Sequence, residues 1–82
     1  MAQQATEIVF TLADIAQAQA VSGKGDENLR WLENQYGIRV IPRGIDLILS
    51  GDTESVEKVR QILENVAGLD RELTAHDFHY AS

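Results

Sequence analysis

The run IRVIPRGIDLILSGDTESVEKVRQILENV, residues 38–66, changes its hydrophobic period partway along, and few folds accommodate that change. From Ile38 to Pro42, and again from Ile45 to Ser50, apolar residues alternate: Ile38 and Val40 share one side, as do Ile45, Leu47 and Leu49. That is the pattern of two strands. Pro42, Arg43 and Gly44 stand between them, so the spacing predicts a hairpin whose turn uses a proline to fix one dihedral and a glycine to accept positive φ. Because Pro42 has no amide to give to a ladder, the first strand must end there or lie with that position at an edge. Past Gly51 the period becomes helical: Asp52 and Thr53 are capping candidates, and Val56, Val59, Ile62, Leu63 and Val66 follow on one stripe. A hairpin followed at once by a one-sided helix calls for a layered domain, with the helix laid across the sheet.

The first half of the chain adds a strand and two helices. EIVFTL, Glu7 to Leu12, places Ile8, Phe10 and Leu12 on one face of an extended segment. Asp14 is positioned to cap a helix with Ile15, Ala18 and Val21 at apolar spacing, and Gly23 and Gly25 end it. A second helix is predicted from about Asp26, with Leu29, Leu32 and Tyr36 on its inner stripe and Gly37 as its terminator. The expected fold class is therefore α+β in the order βααββα: a three-stranded antiparallel sheet covered on one face by three helices. Its expected core is Ile8, Phe10, Leu29, Leu32, Val40, Leu47, Leu49, Val56, Val59, Ile62 and Leu63. The domain is expected to span residues 7–68, with a disordered N-terminus over 1–6 and a flexible C-terminal segment over 69–82, where no period is sustained.

Composition narrows the function. A chain of 82 residues buries only roughly 60 % of the surface its unfolded form exposes, which leaves little room for a deep catalytic cleft. There is no cysteine, which excludes disulfides and thiolate metal sites and suits a reducing compartment, so a cytoplasmic location is expected. No apolar run approaches the ~20 residues of a membrane span, and no signal-peptide pattern opens the chain, so no membrane association is expected. The net charge of -6 opposes bulk attraction to nucleic acid. Its distribution is uneven, however: residues 21–43 sum to +1, with Lys24, Arg30, Arg39 and Arg43 against Asp26, Glu27 and Glu33, whereas the rest of the chain sums to -7.

The basic residues therefore surround VSGKGDENLRWLE, a glycine loop between two helices. Gly23 and Gly25 serve either a sharp inter-helix bend or close approach to a phosphate backbone. Lys24 is either a solvated loop lysine or a phosphate contact, and Arg39 and Arg43 divide in the same way between solvated surface and backbone contact. Asp26 and Glu27 read as helix-start residues facing the positive end of the helix dipole. Trp31 either packs beside the Leu29 and Leu32 stripe or offers a face for stacking. His76 and His79 flank Asp77 without a fourth metal ligand. No G-x-x-x-x-G-K-[ST] occurs, and SGKGD does not replace it: the loop follows a helix rather than a strand, and no Ser or Thr follows the lysine to reach Mg²⁺.

Two resemblances follow from these residues. The βααββα order with a glycine loop between the first two helices resembles a type I KH domain, whose GXXG loop clamps the backbone of single-stranded nucleic acid; here the loop reads Gly23, Lys24, Gly25, with Ser22 and Asp26 at its ends. The combination of Gly23, Asp26, Glu27, Asn28 and Leu29, then Arg43 and Gly44, then Ser50, Gly51 and Asp52, then Leu73, Thr74 and Asp77, is similar to the N-terminal region of the PhoH family of phosphate-starvation-inducible P-loop ATPases. The resemblance implies a non-catalytic, KH-like accessory domain standing before an ATPase core, with ATP and Mg²⁺ bound by that other domain and no cofactor in this one. It also implies Gly23, Lys24, Gly25, Arg30, Arg39 and Arg43 as a weak site for single-stranded RNA. The alternative partner is protein: the ATPase core itself or a neighbouring subunit.

Overall fold

The computed structural model describes residues 5–67, and the expectations for residues 1–4 and 68–82, His76 and His79 among them, lie outside the described residues. The elements follow in the order β1 (Ala5–Thr11), α1 (Ile15–Ser22), a single 3-10 turn (Lys24–Asp26), α2 (Glu27–Tyr36), β2 (Arg39–Arg43), β3 (Asp46–Asp52) and α3 (Thr53–Ala67). This is the expected βααββα arrangement. The three strands form one antiparallel sheet in the spatial order β1-β3-β2, with β3 in the middle.

Two boundaries differ from the sequence reading. β1 begins at Ala5, so Ala5 and Thr6 belong to the sheet rather than to a disordered N-terminus. β2 runs through Pro42 to Arg43, so the hairpin turn is the two-residue step Gly44-Ile45 and not Pro42 to Gly44. Gly44 has φ +61 while Ile45 has no positive φ. Positive φ at the first central position alone is the type II′ pattern, whose twist matches the flanking strands. Pro42 is tolerated within β2 because that strand is an edge. Within α1 the apolar repeat divides: Ala18 and Val21 are buried, whereas Ile15, its first residue, is 53 % exposed.

The helices all lie on one side of the sheet. Leu47 and Leu49 of β3 and Val40 of β2 point into this layer, where Leu29 and Leu32 of α2 and Val56, Val59, Ile62, Leu63 and Val66 of α3 enclose them. Leu12, Ala18, Val21 and Ile38 complete the buried set. Ile8 and Phe10 face the same way but are only partly covered, because β1 is the other edge of the sheet. The starts of α1 and α3 are fixed locally. Asp14 accepts the Gln17 amide at 2.8 Å, and Asp52 accepts the Ser55 amide at 3.0 Å, both satisfying amides that a helix leaves free. Gln17 then donates through Nε2 to the Ala67 carbonyl at 2.5 Å, tying the start of α1 to the end of α3.

Alternation places the remaining strand residues on the uncovered face. Register stacks them in rows across β1, β3 and β2: Glu7, Ser50, Arg39; then Val9, Ile48, Ile41; then Thr11, Asp46, Arg43. The middle row is apolar, and Val9 is 58 % exposed.

Candidate nucleic-acid interface

The glycine loop is held in shape largely by its own bonds. Val21 and Ser22 end α1 buried, and the fully buried Asn28 of α2 reaches back to donate to the Val21 carbonyl at 3.1 Å. This brings the start of α2 so close to the end of α1 that the residue between them has no room for a side chain. That residue is Gly23: a Cβ there would sit 2.6 Å from Asn28 Nδ2, and its φ of +78 with ψ of 179 is a conformation open to glycine alone. Gly25 is different. It has φ +60 and ψ 28, and an added Cβ would meet only Arg30 Nη2, at 3.7 Å. Asp26 follows in the same left-handed region, at φ 59 and ψ 27, a region that aspartate tolerates better than most residues.

The loop amides divide into used and unused. Gly23 donates to the Gln19 carbonyl at 2.9 Å, Asp26 to the Gly23 carbonyl at 3.2 Å, and Glu27 to the Lys24 carbonyl. The amides of Lys24 and Gly25 take part in none of these bonds. Arg30 crosses back from α2 to donate through Nη2 to the Gly25 carbonyl, so its guanidinium braces the loop. Asp26 marks the helix start without capping it through its side chain.

A shallow groove of about 310 Å³ runs along this loop, lined by Ile15, Ala18, Gln19 and Ser22 of α1, Gly23 and Asp26 of the loop, and Pro42 and Gly44 of the hairpin. One wall is thus a helix, one end is the glycine loop, and the opposite wall is the tip of β2. Its lining is mixed, with Ile15, Ala18 and Pro42 apolar and Gln19, Ser22 and Asp26 polar.

The structure brings together only part of the predicted basic set. Gly23 lines the groove, Lys24 and Gly25 lie in the loop beside it, and Arg30 is joined to that loop. Arg43 is adjacent to Pro42 and Gly44, yet its side chain belongs to the open face of the sheet, where it helps line a depression with Val9, Asp46 and Ile48. Arg39 lies on that open face too, four residues back along β2 and so about 13 Å away. Neither arginine shares a wall with the loop. The sequence reading also missed Ile15 and Pro42 as groove walls and Asn28 as the clasp. Only the proline carried a signal, since a residue barred from a central ladder must sit at an edge. Trp31 is half-buried against the core, edge-on to Tyr36 with ring centroids 6.4 Å apart and planes at 78°, which is the packing arrangement rather than an open stacking platform.

Among the described residues no group of three or more His, Cys, Asp or Glu is placed to hold a metal ion, and no helix is long and apolar enough to cross a membrane. No family model, curated protein or solved structure matches the chain.

Proposed function

We propose that this chain is a weak binding module for single-stranded nucleic acid, RNA above all, seated in the groove between α1, the glycine loop and the tip of β2. The observation that carries the reading is the coincidence of an open groove of mixed polar and apolar lining with a glycine loop whose Lys24 and Gly25 amides are not used by the loop itself. A base lies against Ile15, Ala18 and Pro42, where its flat face loses little by leaving water. The phosphate that follows meets the Lys24 and Gly25 amides and the Lys24 ammonium. Arg30 positions the loop through the Gly25 carbonyl. Asp26 accepts from the exocyclic amine of cytosine or adenine, which favours those bases over uracil. With one lysine at the groove and a net charge of -6, binding is weak and falls steeply with salt.

The PhoH-like order of motifs extends this reading to an accessory domain that supplies RNA contact to a P-loop ATPase in the cytoplasm, with ATP and Mg²⁺ held by the ATPase. That extension rests on the sequence resemblance. The alternative is a protein-interaction domain, and the observation in its favour is the exposed apolar row on the open sheet face.

An NMR titration with a short single-stranded oligonucleotide, at low and then near-physiological salt, tests the reading. Shifts centred on residues 22–28 are expected, and the double variant K24D/G25D should lose them while keeping its fold, since Gly25 has room for a side chain. No shifts at low salt, or shifts confined to the exposed face of α3, would overturn it.

A further inference from the structure

The two edges of the sheet are treated differently. In an antiparallel strand the amide and carbonyl of each residue point to the same side, and successive residues point to opposite sides. On β2, Val40 points outward: its amide donates to Glu33 Oε2 at 2.8 Å instead of to β3. Pro42, two residues on, also points outward and has no amide at all. Glu33 and Pro42 therefore close the donor side of the β2 edge, and Arg39 and Arg43 add charge beside it. These are devices that keep a strand from pairing with another chain.

β1 has no proline and no side-chain cap on its outward amides among the described residues, and its one charge is Glu7. The Leu12 amide donates to the Ile45 carbonyl at 2.8 Å, and this continues the register in which the even-numbered residues of β1 bond to β3. Ala5, Glu7, Val9 and Thr11 consequently turn their amides and carbonyls to the free edge, and among the described residues nothing pairs with them. The strand is seven residues long and contains no proline, lysine or arginine. Its apolar side chains are incompletely covered on both faces: Ile8 and Phe10 on the helix side, Val9 on the other.

We infer that β1 is a pairing edge for a second copy of this chain, joined antiparallel about a two-fold axis at Val9. Self-complementarity selects this register. Val9 meets Val9 of the second copy, and Glu7 meets Thr11. Ile8 meets Phe10 on the helix side and supplies the cover that each lacks alone. A register centred on Glu7 would instead set two carboxylates against each other. Centring on Val9 contributes about six inter-strand hydrogen bonds and a six-stranded sheet. The apolar row Ile41, Ile48, Val9 then continues without interruption through its symmetry mate. The groove lies at the β2 edge, so both copies keep it open, at opposite ends of the pair.

Sedimentation of the 82-residue chain over a wide concentration range, combined with amide exchange, tests this. The expected result is a monomer–dimer equilibrium in which the Glu7, Val9 and Thr11 amides become protected as concentration rises. V9P removes one outward amide without touching the β3 ladder, and V9K places a charge at the two-fold axis. Both should keep the monomer's melting behaviour and raise the dimer Kd by at least ~10-fold. A monomer at every concentration would overturn the inference, as would a dimer indifferent to both variants, or protection of those amides that does not change with concentration.

Discussion

The side chain of Asn28 occupies the space that a Cβ on Gly23 would need, 2.6 Å from its Nδ2. The two residues form one device: Asn28 pins the Val21 carbonyl, and Gly23 passes beneath it with φ +78. The glycines of the loop are therefore not equivalent. Gly23→Ala should cost roughly 2–4 kcal/mol, combining positive φ with overpacking against a buried amide. Gly25→Ala should cost about 1 kcal/mol, for the left-handed backbone alone. Urea unfolding of the two variants checks the difference. Equal losses would mean that the Asn28 contact is not what holds the loop.

Val59 is fully buried between α3 and the sheet. Val59→Asp would bring an unpaired carboxylate into that layer, at a cost of several kcal/mol against a total stability of roughly 4–12 kcal/mol for a chain of this size. The variant should show no cooperative thermal transition by circular dichroism. A retained transition near that of the parent would contradict the placement of α3.

The Asp52 carboxylate is held below its ordinary pKa of 3.8, chiefly by the hydrogen bond from the Ser55 amide at the start of α3. A carboxylate with a lowered folded-state pKa contributes stability that is present above its unfolded pKa and is lost as pH falls through the folded value. The stability difference between the parent and Asp52→Ala should thus be constant near neutrality and shrink as pH drops below about 4. Denaturation midpoints measured from pH 7 to pH 2.5 give the comparison. A difference that grew on acidification would have the wrong sign for this cap.

Ile15 and Arg39 separate the groove from the open face. Ile15→Glu adds a charge to the groove wall at a position already 53 % exposed, so the fold should survive while RNA binding at low salt falls by about tenfold or more. Arg39→Glu, on the opposite face of the sheet, should lower binding only by its general electrostatic effect, about twofold to threefold. Fluorescence anisotropy with a labelled oligonucleotide distinguishes them. The reverse ranking would move the interface to the sheet.

Periodicity located the three strands and three helices because an apolar repeat marks the buried side of each, as in α3, where Val56, Val59, Ile62, Leu63 and Val66 are all buried. It placed the hairpin turn too early because a proline in a turn and a proline on an edge strand obey the same local rule, and only the strand order decides between them. The site was harder to read. Asn28 looks like any polar helix residue until the end of α1 is packed above it. Ile15 fits the apolar repeat of its helix, and its exposure depends on where that helix lies over the sheet. The alternation Arg39, Val40, Ile41, Pro42, Arg43 did contain the separation of the arginines from the loop, since Val40 had already been assigned to the core.

The middle position of β3 also sets an order of events in time. Arg43 and Asp46 are near neighbours in sequence, and the β2–β3 hairpin with α3 beside it closes through short loops. The Thr11 side chain, by contrast, reaches Asp46 across 35 residues, and β1 has no ladder to join until β3 has formed. Loop-closure entropy then makes β1, the first of the three strands in chain order, the last to dock. Substitutions in β1 should change mainly the unfolding rate, and those in the hairpin the folding rate. Until it docks, β1 carries Ile8, Val9 and Phe10 unpaired on both sides, and that interval is when a nascent chain of this protein is most open to capture by another.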